Sequence, residues 1–283
     1  MPVRTVASKQ NARLKELRQA LAQPGRRARS LVDGAAGFVG IEGSNLIEEA
    51  LRAGLSITTV FVAQGAEHLL DALPLPPETD VLLVPRTLLD SAMATETPQP
   101  IAALVEPPHW DWPDLLNQRQ NKTLLVVLAG LQDPGNLGTI LRSAEAFGAT
   151  GVVTLPGTVS PWNPKAVRAS AGSVFRVPLL AAGADECFAR LHKSGVRILA
   201  ATARAAQPAS LVDLSEPFAF LIGNEGNGLP PELVSHADAA ITIPCPGPVE
   251  SLNAAVAASV LLYEAARQRS STTRHQIRKR SAR

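Results

Sequence analysis

Cysteine is scarce in this sequence, and so are patterns that bind metal. The 283 residues include two cysteines, Cys187 and Cys245, which lie far apart and show no CxxC or Cys/His spacing. This argues against a disulfide framework and against structural zinc. The five histidines are scattered, with no pair four residues apart, so the sequence predicts no metal site. We expect a protein of a reducing, intracellular compartment.

Long apolar runs are also missing. No uninterrupted apolar stretch reaches the roughly 20 residues that a membrane helix needs. The first ten residues, MPVRTVASKQ, lack the apolar centre of a signal peptide. These two absences predict a soluble, cytoplasmic protein without a membrane partner.

The net charge is small, at +2, but the charge is unevenly distributed. Residues 1–29 hold eight basic side chains and one acidic, and residues 267–283 hold seven basic and none acidic. The two ends therefore carry +14 and the remainder −12. Basic arms engage phosphates locally even on an acidic body, so the ends are candidates for binding a polyanion. The alternative for the carboxy-terminal end is a disordered, solubilising tail.

The length exceeds one average domain and predicts two. Residues 1–106 begin with a basic helical stretch, after which strand-like TVFVA, VLLV and IAALVE alternate with helical segments. We interpret this as a small α/β domain. Residues 107–121, rich in proline and polar residues, are predicted to be a linker. In it, Trp110 and Trp112 serve interdomain packing or, alternatively, base stacking.

The second predicted domain spans residues 122–270. LLVVLAG is a continuous apolar run, typical of a parallel strand buried on both faces. Five further segments, GVVTL, FRVPL, VRILAAT, FAFLIGNE and AAITIP, alternate with helices, and a final helix runs from Ser251 to about Arg269. This predicts a parallel sheet with helices on both faces and ligands at the carboxyl ends of its strands. Residues 271–283 are predicted to form a basic disordered tail.

Three segments lie at those strand ends. In NLGTILRSAEAFGA, Arg142 either pairs with Glu145 one turn on or shares a helix face with Gly138, where a ligand can approach. FLIGNEGNGLP has glycines spaced GxxGxG, which is neither the dinucleotide fingerprint nor a P-loop. A tight turn would explain part of it, but three glycines around Glu225 also suit a small polar ligand. ITIPCPGPVESLN leads into AAVAASV, a Ser-capped helix whose small face packs closely or admits a second helix.

In this order, NLGTILRSAEAFGA, FLIGNEGNGLP and ITIP…ESLNAAVAASV resemble the three signature motifs of the SpoU/TrmH group of RNA ribose 2′-O-methyltransferases, within the SPOUT superfamily. The segment from Val32 to Val105 is similar to the amino-terminal substrate-binding domain of that family, which is related to ribosomal protein L30e. The resemblance covers roughly residues 8–268. It implies an α/β-knot domain, in which the last helix threads a loop to form a trefoil knot, a smaller L30e-like domain, and a homodimer with a shared active site.

The resemblance also implies S-adenosylmethionine as cofactor. The residues that match its binding positions are Thr202, Ile222, Gly223, Asn224, Gly226, Ile243, Pro244 and Leu252. The matching catalytic set is Arg142, Asn136, Glu225, Ser251 and Asn253, with Arg142 as the essential arginine. Arg168 and Ser170 match positions that contact RNA. Cys245 stands where many relatives carry Met, a departure that still leaves a small apolar residue.

Arginine is a poor general base, because a guanidinium holds its proton far too strongly to accept another at neutral pH. We therefore hypothesise that Arg142 hydrogen-bonds the ribose 2′-oxygen and stabilises the developing alkoxide. The substrate implied is a ribose in structured RNA, with 23S rRNA preferred because an L30e-like domain suits folded RNA. The alternatives are a tRNA ribose 2′-O-methyltransferase and an RNA-binding assembly factor without transferase activity. Housekeeping and antibiotic-resistance roles are both open.

Overall fold

The computed structural model describes residues 3–22, 37–93, 95, 97–116 and 123–281, with side chains described as far as residue 270. Contacts between residues divide the chain into two compact units. The first comprises Met1–His109 and Ser160–Arg176, and the second comprises Trp110–Val159 and Val177–Arg283. The first unit thus takes up residues 160–176, a segment that the sequence places within the second domain.

The first unit is built on a five-stranded mixed sheet. In chain order the elements of Met1–His109 are β1 (Val3–Thr5), α1 (Ala12–Ala22), β2 (Val39–Glu42), α2 (Ser44–Arg52), β3 (Ile57–Ala63), β4 (Asp80–Val84), α3 (Arg86–Asp90) and β5 (Ile101–Val105). The strand order is β1-β4-β3-β5-β2, and β5 runs antiparallel to both of its neighbours. The predicted strands TVFVA, VLLV and IAALVE are confirmed as β3, β4 and β5, whose apolar side chains form the core of this unit.

The sequence predicts that Ser44 or Asn45 caps α2 and that an acidic helix forms around Glu67–Ala72, and the structure corrects both predictions. The residue before α2 is Gly43, whose φ of +97° turns the chain, and no side chain caps the first turn of the helix. The acidic segment forms only a 3-10 turn, Glu67–Leu70. The Glu67 carboxylate accepts a hydrogen bond from the N–H of Gly65, which favours the turn.

The second unit is built on a seven-stranded parallel sheet. In chain order the elements from Trp110 onward are α4 (Trp112–Leu115), β6 (Leu124–Leu128), α5 (Pro134–Ala146), β7 (Gly151–Thr154), α6 (Pro164–Ser170), β8 (Leu179–Ala181), α7 (Ala184–Lys193), β9 (Arg197–Ala201), β10 (Gln207–Pro208), β11 (Phe218–Ile222), α8 (Pro231–Val234), β12 (Ala239–Thr242) and α9 (Ala254–Ser281). Of these, α6 belongs to the first unit. The strand order is β10-β12-β9-β11-β6-β7-β8. The predicted parallel sheet is confirmed, and the apolar runs of β6 and β11 lie side by side, buried along their whole length. The trefoil knot stays a prediction.

The predicted strand FRVPL is shifted in the structure. Phe175 ends a buried 3-10 turn, Ser173–Phe175, and the strand begins only at Leu179. Pro178 lies between them and has no N–H to donate to a neighbouring strand. The first residue of FRVPL therefore belongs to a buried turn, and only the last residue belongs to a strand.

The last helix differs from its prediction at both ends. Asn253, not Ser251, caps α9: its Oδ1 accepts hydrogen bonds from the N–H groups of Ala255 at 2.9 Å and Val256 at 3.2 Å. The helical backbone then continues to Ser281, through most of the segment predicted as a disordered tail. No glycine or proline follows Pro248 in the sequence, so nothing in it breaks the helix.

The two linker tryptophans pack against the second unit. Trp110 and Trp112 both contact its hydrophobic core, and Trp112 donates from Nε1 to Glu186 at 3.1 Å. The Arg190 guanidinium lies 5.9 Å from the centre of the Trp112 ring, within the range of a cation–π contact. Both tryptophans therefore pack within the second unit, where the sequence predicted packing between domains.

Within the described residues, no helix combines the length and the apolar character that crossing a membrane requires. The described part of the chain likewise contains no group of three or more His, Cys, Asp or Glu side chains arranged to hold a metal ion.

Candidate active site

The carboxyl ends of three neighbouring strands line a cleft of about 700 Å³ in the second unit. The loops after β9, β11 and β12 form its walls, together with Ala254, Ala257 and Leu261 of α9. A volume of this size suits a small organic ligand. The eight residues predicted to bind the cofactor all lie on its wall: Thr202, Ile222, Gly223, Asn224, Gly226, Ile243, Pro244 and Leu252. Glu225, Ser251 and Cys245 line the same cleft.

The loop after β11 folds back on itself so closely that Gly223 has no room for a side chain. A Cβ on Gly223 would lie 2.3 Å from the carbonyl carbon of Gly228. Asn224 and Gly228 exchange two backbone hydrogen bonds of 3.0 Å, and Gly228 has a φ of +67°. The turn itself therefore requires Gly223 and Gly228. Gly226 has neither a close contact nor a positive φ, so it is the glycine that the turn does not explain.

Asn224 holds this loop in place through its side chain. Its Oδ1 accepts from the N–H of Gly226 at 2.8 Å, and its Nδ2 donates to the carbonyl oxygen of Gly130 at 2.8 Å. The first bond ties the turn together, and the second ties it to the loop after β6. Asn224 thus has a structural role at the cleft in addition to its predicted contact with a cofactor.

A continuous chain of side-chain hydrogen bonds joins the three sequence motifs. Asn136 at the start of α5 donates from Nδ2 to Glu225 Oε1 at 3.0 Å. Asn253, the cap of α9, donates from Nδ2 to Asn136 Oδ1 at 3.0 Å. Both amide orientations are fixed, because each amide donates in one direction and accepts in the other. The structure therefore brings together three of the five predicted catalytic residues at the edge of the cleft.

The Glu225 carboxylate receives two further hydrogen bonds, from the backbone N–H groups of Gln132 at 3.3 Å and Asp133 at 3.2 Å. Partial burial by itself raises the pKa of Glu225. The hydrogen bonds from Asn136 and from the backbone outweigh burial and lower that pKa below its usual value of 4.5. At neutral pH Glu225 is therefore an ionised acceptor that orients Asn136, and it cannot act as an acid.

Helix α9 packs against α5 along its small residues. Ser143 and Ser259 place their hydroxyl oxygens 2.7 Å apart, and the rings of Phe147 and Tyr263 meet edge to face at 5.9 Å. The expectation that the small face of AAVAASV admits another helix is confirmed, with α5 as that helix. Beside this contact α9 exposes Val256, Val260 and Tyr263, which are 49%, 40% and 55% accessible.

Arg142 lies apart from the other predicted catalytic residues of this chain. It follows Asn136 by six residues on α5, which rotates it by about 120° around the helix. Its side chain is exposed and is not part of the described cleft wall. Among the described residues it forms no hydrogen bond or ion pair, so the alternative pairing with Glu145 is not made there.

The two predicted RNA contacts lie on α6, in the first unit. Arg168 is exposed. Ser170 is fully buried: its hydroxyl donates to the carbonyl oxygen of Val167 at 2.8 Å and accepts from the N–H of Val174 at 3.5 Å. This geometry therefore does not support direct contact between Ser170 and RNA, because the hydroxyl is buried and hydrogen-bonded to the backbone at the end of α6.

The sequence prediction missed two features of the site. Arg204, after β9, is the one cation on the described wall of the cleft. The backbone donors of Gln132 and Asp133, in the loop that follows β6, were missed as well. For Arg204, its position shortly after the end of strand β9 was a sequence signal that could have placed it at the cleft. No sequence signal marks a backbone N–H as a donor to a distant carboxylate.

Two family models match the chain. The model described as SpoU rRNA Methylase family matches residues 123–263, and the one described as RNA 2′-O ribose methyltransferase substrate binding matches residues 41–110. RlmP of Bacillus subtilis, a 23S rRNA (guanosine(2553)-2′-O)-methyltransferase, is 32% identical over 225 residues, or 79% of this chain and 86% of that protein. The chain belongs to the SpoU family. The family membership expected from the three motifs is thereby confirmed.

Other methyltransferases resemble the chain along most of its length. An uncharacterised tRNA/rRNA methyltransferase of Mycolicibacterium vanbaalenii is 36% identical over 239 residues, or 81% of this chain and 76% of that protein. An AdoMet-bound rRNA methyltransferase from Sinorhizobium meliloti has a TM-score of 0.77 at 30% identity, covering 94% of this chain and 98% of that one. The SpoU methyltransferase AviRb from Streptomyces viridochromogenes has a TM-score of 0.75 at 29% identity, covering 93% of this chain and 99% of that one.

Proposed function

We propose that this protein transfers a methyl group from S-adenosylmethionine to the 2′-oxygen of a ribose in ribosomal RNA, most specifically 23S rRNA. The hydrogen-bonded chain Glu225–Asn136–Asn253 at the edge of the cleft carries the proposal, because it assembles one polar residue from each SpoU motif. The 23S rRNA activity of the Bacillus subtilis relative supports 23S rRNA over tRNA. The match to the substrate-binding family supports an RNA substrate.

The cleft fits S-adenosylmethionine, which supplies an electrophilic methyl group on a sulfonium. Ile222, Ile243 and Leu252 provide apolar wall for a flat base. Gly226, which the turn does not require, leaves room on the loop for a ligand to approach the backbone. Apolar walls with a few fixed polar groups are typical of cofactor sites. Cys245 belongs to the same wall and is only partly exposed, consistent with an apolar contact.

Within this chain, Asn136 and Asn253 are held as fixed dipoles beside the cleft, and Glu225 stays ionised. Pre-oriented groups of this kind cost no reorganisation when charge develops in the transition state. Arg142 can act only as a donor, because a guanidinium carries five N–H groups and no acceptor. In the proposed reaction it donates hydrogen bonds to the ribose 2′-oxygen as that oxygen becomes negative, and solvent or RNA takes the proton.

A homodimer is part of the proposed function. Arg142 lies outside the cleft of its own chain, so a second copy must complete the site if this arginine acts there. Val256, Val260 and Tyr263 form an exposed apolar stripe at spacing four and three on α9, next to α5. An exposed apolar stripe of this kind is expected to be buried against another protein surface. We propose that it packs on a second copy and that the partner subunit's Arg142 reaches the cleft. The trefoil knot and a cytoplasmic location belong to the same proposal.

The test maps ribose 2′-O-methylation across rRNA and tRNA in cells with and without the gene, with complementation by wild type and by Arg142→Ala. We expect one 23S rRNA site to disappear, to return with wild type, and to stay absent with Arg142→Ala. Purified Arg142→Ala should bind S-adenosylmethionine normally, and Arg142→Lys separates the charge from the planar guanidinium. Full methylation by Arg142→Ala would contradict the catalytic assignment.

The same experiment distinguishes the alternatives. Disappearance of a tRNA site would establish the tRNA alternative. If every site persists and calorimetry detects no binding of S-adenosylmethionine, the protein is an RNA-binding factor without transferase activity.

A further inference from the structure

Residues 160–176 belong to the SpoU methylase match by sequence but pack in the other unit. The chain leaves the second unit after Val159 and returns to it at Val177, so Ser160–Arg176 is an excursion of 17 residues. The excursion is well folded. Trp162 and Phe175 are buried and stack with their ring centres 6.3 Å apart, and Asn163 caps α6 by accepting from the N–H of Lys165. It is therefore a built part of the first unit.

One ion pair ties the end of this excursion to α2. Arg176 donates from a terminal guanidinium nitrogen to Glu49 Oε2 at 2.6 Å, and the two side chains are 33% and 25% exposed. Arg52 donates to the other oxygen, Glu49 Oε1, at 3.0 Å. Glu49 thus bridges one arginine of its own helix and one arginine of the excursion.

Close backbone approach occurs at the same point. Gly172 has a φ of +86°, and a Cβ there would lie 2.7 Å from Cβ of Glu49. Only glycine adopts this positive φ and tolerates so close a neighbour without strain. The contact between Glu49 and the excursion is therefore specified twice, by a charge at Arg176 and by a missing side chain at Gly172.

Just before the excursion, the chain is hydrogen-bonded to the loop that follows β6. Val159, the last residue before it, donates its N–H to the carbonyl oxygen of Leu131 at 2.8 Å. Leu131 immediately precedes Gln132 and Asp133, whose N–H groups hold the Glu225 carboxylate. The residue that precedes the excursion is thus hydrogen-bonded to the loop whose N–H groups hold Glu225.

We propose that Glu49 and Arg176 are positioning residues: their ion pair holds Ser160–Arg176 on the substrate-binding unit, so that Arg168 meets a phosphate of the RNA bound there. This rests on the proposed function, since it presumes an RNA substrate. Cofactor binding does not depend on the pair.

The test compares Arg176→Ala with Arg52→Ala, a matched control that removes the other arginine from Glu49 without touching the excursion. Arg176→Ala is expected to weaken binding of an rRNA fragment by about fivefold, the size of one partly exposed ion pair. Its affinity for S-adenosylmethionine should be unchanged, and Arg176→Lys should recover part of the RNA affinity. Arg52→Ala should leave RNA affinity unchanged. Glu49→Gln, which keeps the shape and removes the charge, should reproduce Arg176→Ala.

Two further measurements make the proposal falsifiable at each step. Hydrogen exchange of residues 164–175 should accelerate in Arg176→Ala but not in Arg52→Ala. Equal exchange in both variants would overturn the proposal that the Glu49–Arg176 ion pair holds Ser160–Arg176 in place, whether or not the protein methylates RNA. Arg168→Ala should weaken RNA binding in the wild-type background and have little added effect in Arg176→Ala. The same decrease in both backgrounds, or none in either, would overturn the role of the pair in RNA contact while leaving the proposed methyl transfer to its own test.

Discussion

At the residue scale, Glu225 is the charged member of the hydrogen-bonded chain beside the cleft, and its ionisation is linked to folding. Hydrogen bonds from Asn136 and the backbone outweigh the effect of burial, so its pKa in the folded protein lies below the usual 4.5. The folded state therefore favours the carboxylate. The stabilisation is fully present above pH 4.5 and disappears as the pH falls through the folded pKa.

This linkage gives a prediction for Glu225→Gln. At neutral pH the variant should unfold at a lower urea concentration than wild type, because the charge-assisted hydrogen bonds are weakened. Well below pH 4.5 the two unfolding midpoints should converge, because wild type is then protonated too. Glu250→Gln, an exposed change on the same cleft, serves as the control. A difference that persists unchanged in acid would show that Glu225 acts through shape and not through charge.

At the scale of elements, α9 connects the cleft to an anchor several turns away. Ala254, Ala257 and Leu261 line the cleft. Further along the helix, Arg269 donates from Nε to the carbonyl oxygen of Leu214 at 2.9 Å. Its Nη2 donates to the carbonyl oxygens of Thr123 at 3.0 Å and Glu216 at 2.9 Å. The guanidinium also lies 5.1 Å from the centre of the Phe218 ring.

We therefore predict that Arg269→Ala destabilises the fold by about 2 kcal/mol, the value of hydrogen bonds made by a partly buried charged group. Its affinity for S-adenosylmethionine should fall as well, because the helix that lines the cleft is less firmly held. Arg267→Ala is the matched control: Arg267 is exposed and forms an ion pair with Glu264 on the same helix, so little change is expected. Urea unfolding and calorimetry measure the two effects. Equal results for both arginines would refute the anchor.

At the scale of the whole molecule, the exposed stripe of Val256, Val260 and Tyr263 predicts the oligomeric state. Val260→Asp places a charge in the proposed interface and should convert a dimer to a monomer in sedimentation experiments. Methyl transfer should disappear with it, because the partner subunit's Arg142 is then absent. Leu211→Asp, at an apolar residue that is 76% exposed elsewhere in the second unit, is the control. A fully active monomer would contradict both the dimer and the shared site.

The basic carboxy-terminal end belongs to the same scale. Residues 271–283 carry five basic side chains. Their removal should weaken RNA binding and reduce the slope of log K against log salt by about 0.7 to 0.9 for each phosphate that the shortened chain no longer neutralises. Cofactor affinity should not change. An unchanged salt dependence would show that this end only solubilises the protein.

The sequence alone determined the parallel sheet and the edge of that sheet at which the cleft lies. Continuous apolar runs such as Leu124–Leu128 predict strands buried on both faces, and polar motifs directly after such strands predict a site at one edge of the sheet. These signals are local, since they depend on residue type and spacing within about ten positions. They failed where a local pattern had two outcomes: FRVPL became largely a turn, and Asn253 capped α9 in place of Ser251.

Only the tertiary structure decided which of these residues meet. Asn136 and Glu225 are 89 positions apart, and they touch because β11 lies beside β6 in the sheet. The burial of Ser170 and the pairing of Arg176 with Glu49 depend likewise on residues 160–176 packing in the first unit. Spacing along the chain carries no information on such contacts, because they follow from how the strands and helices pack.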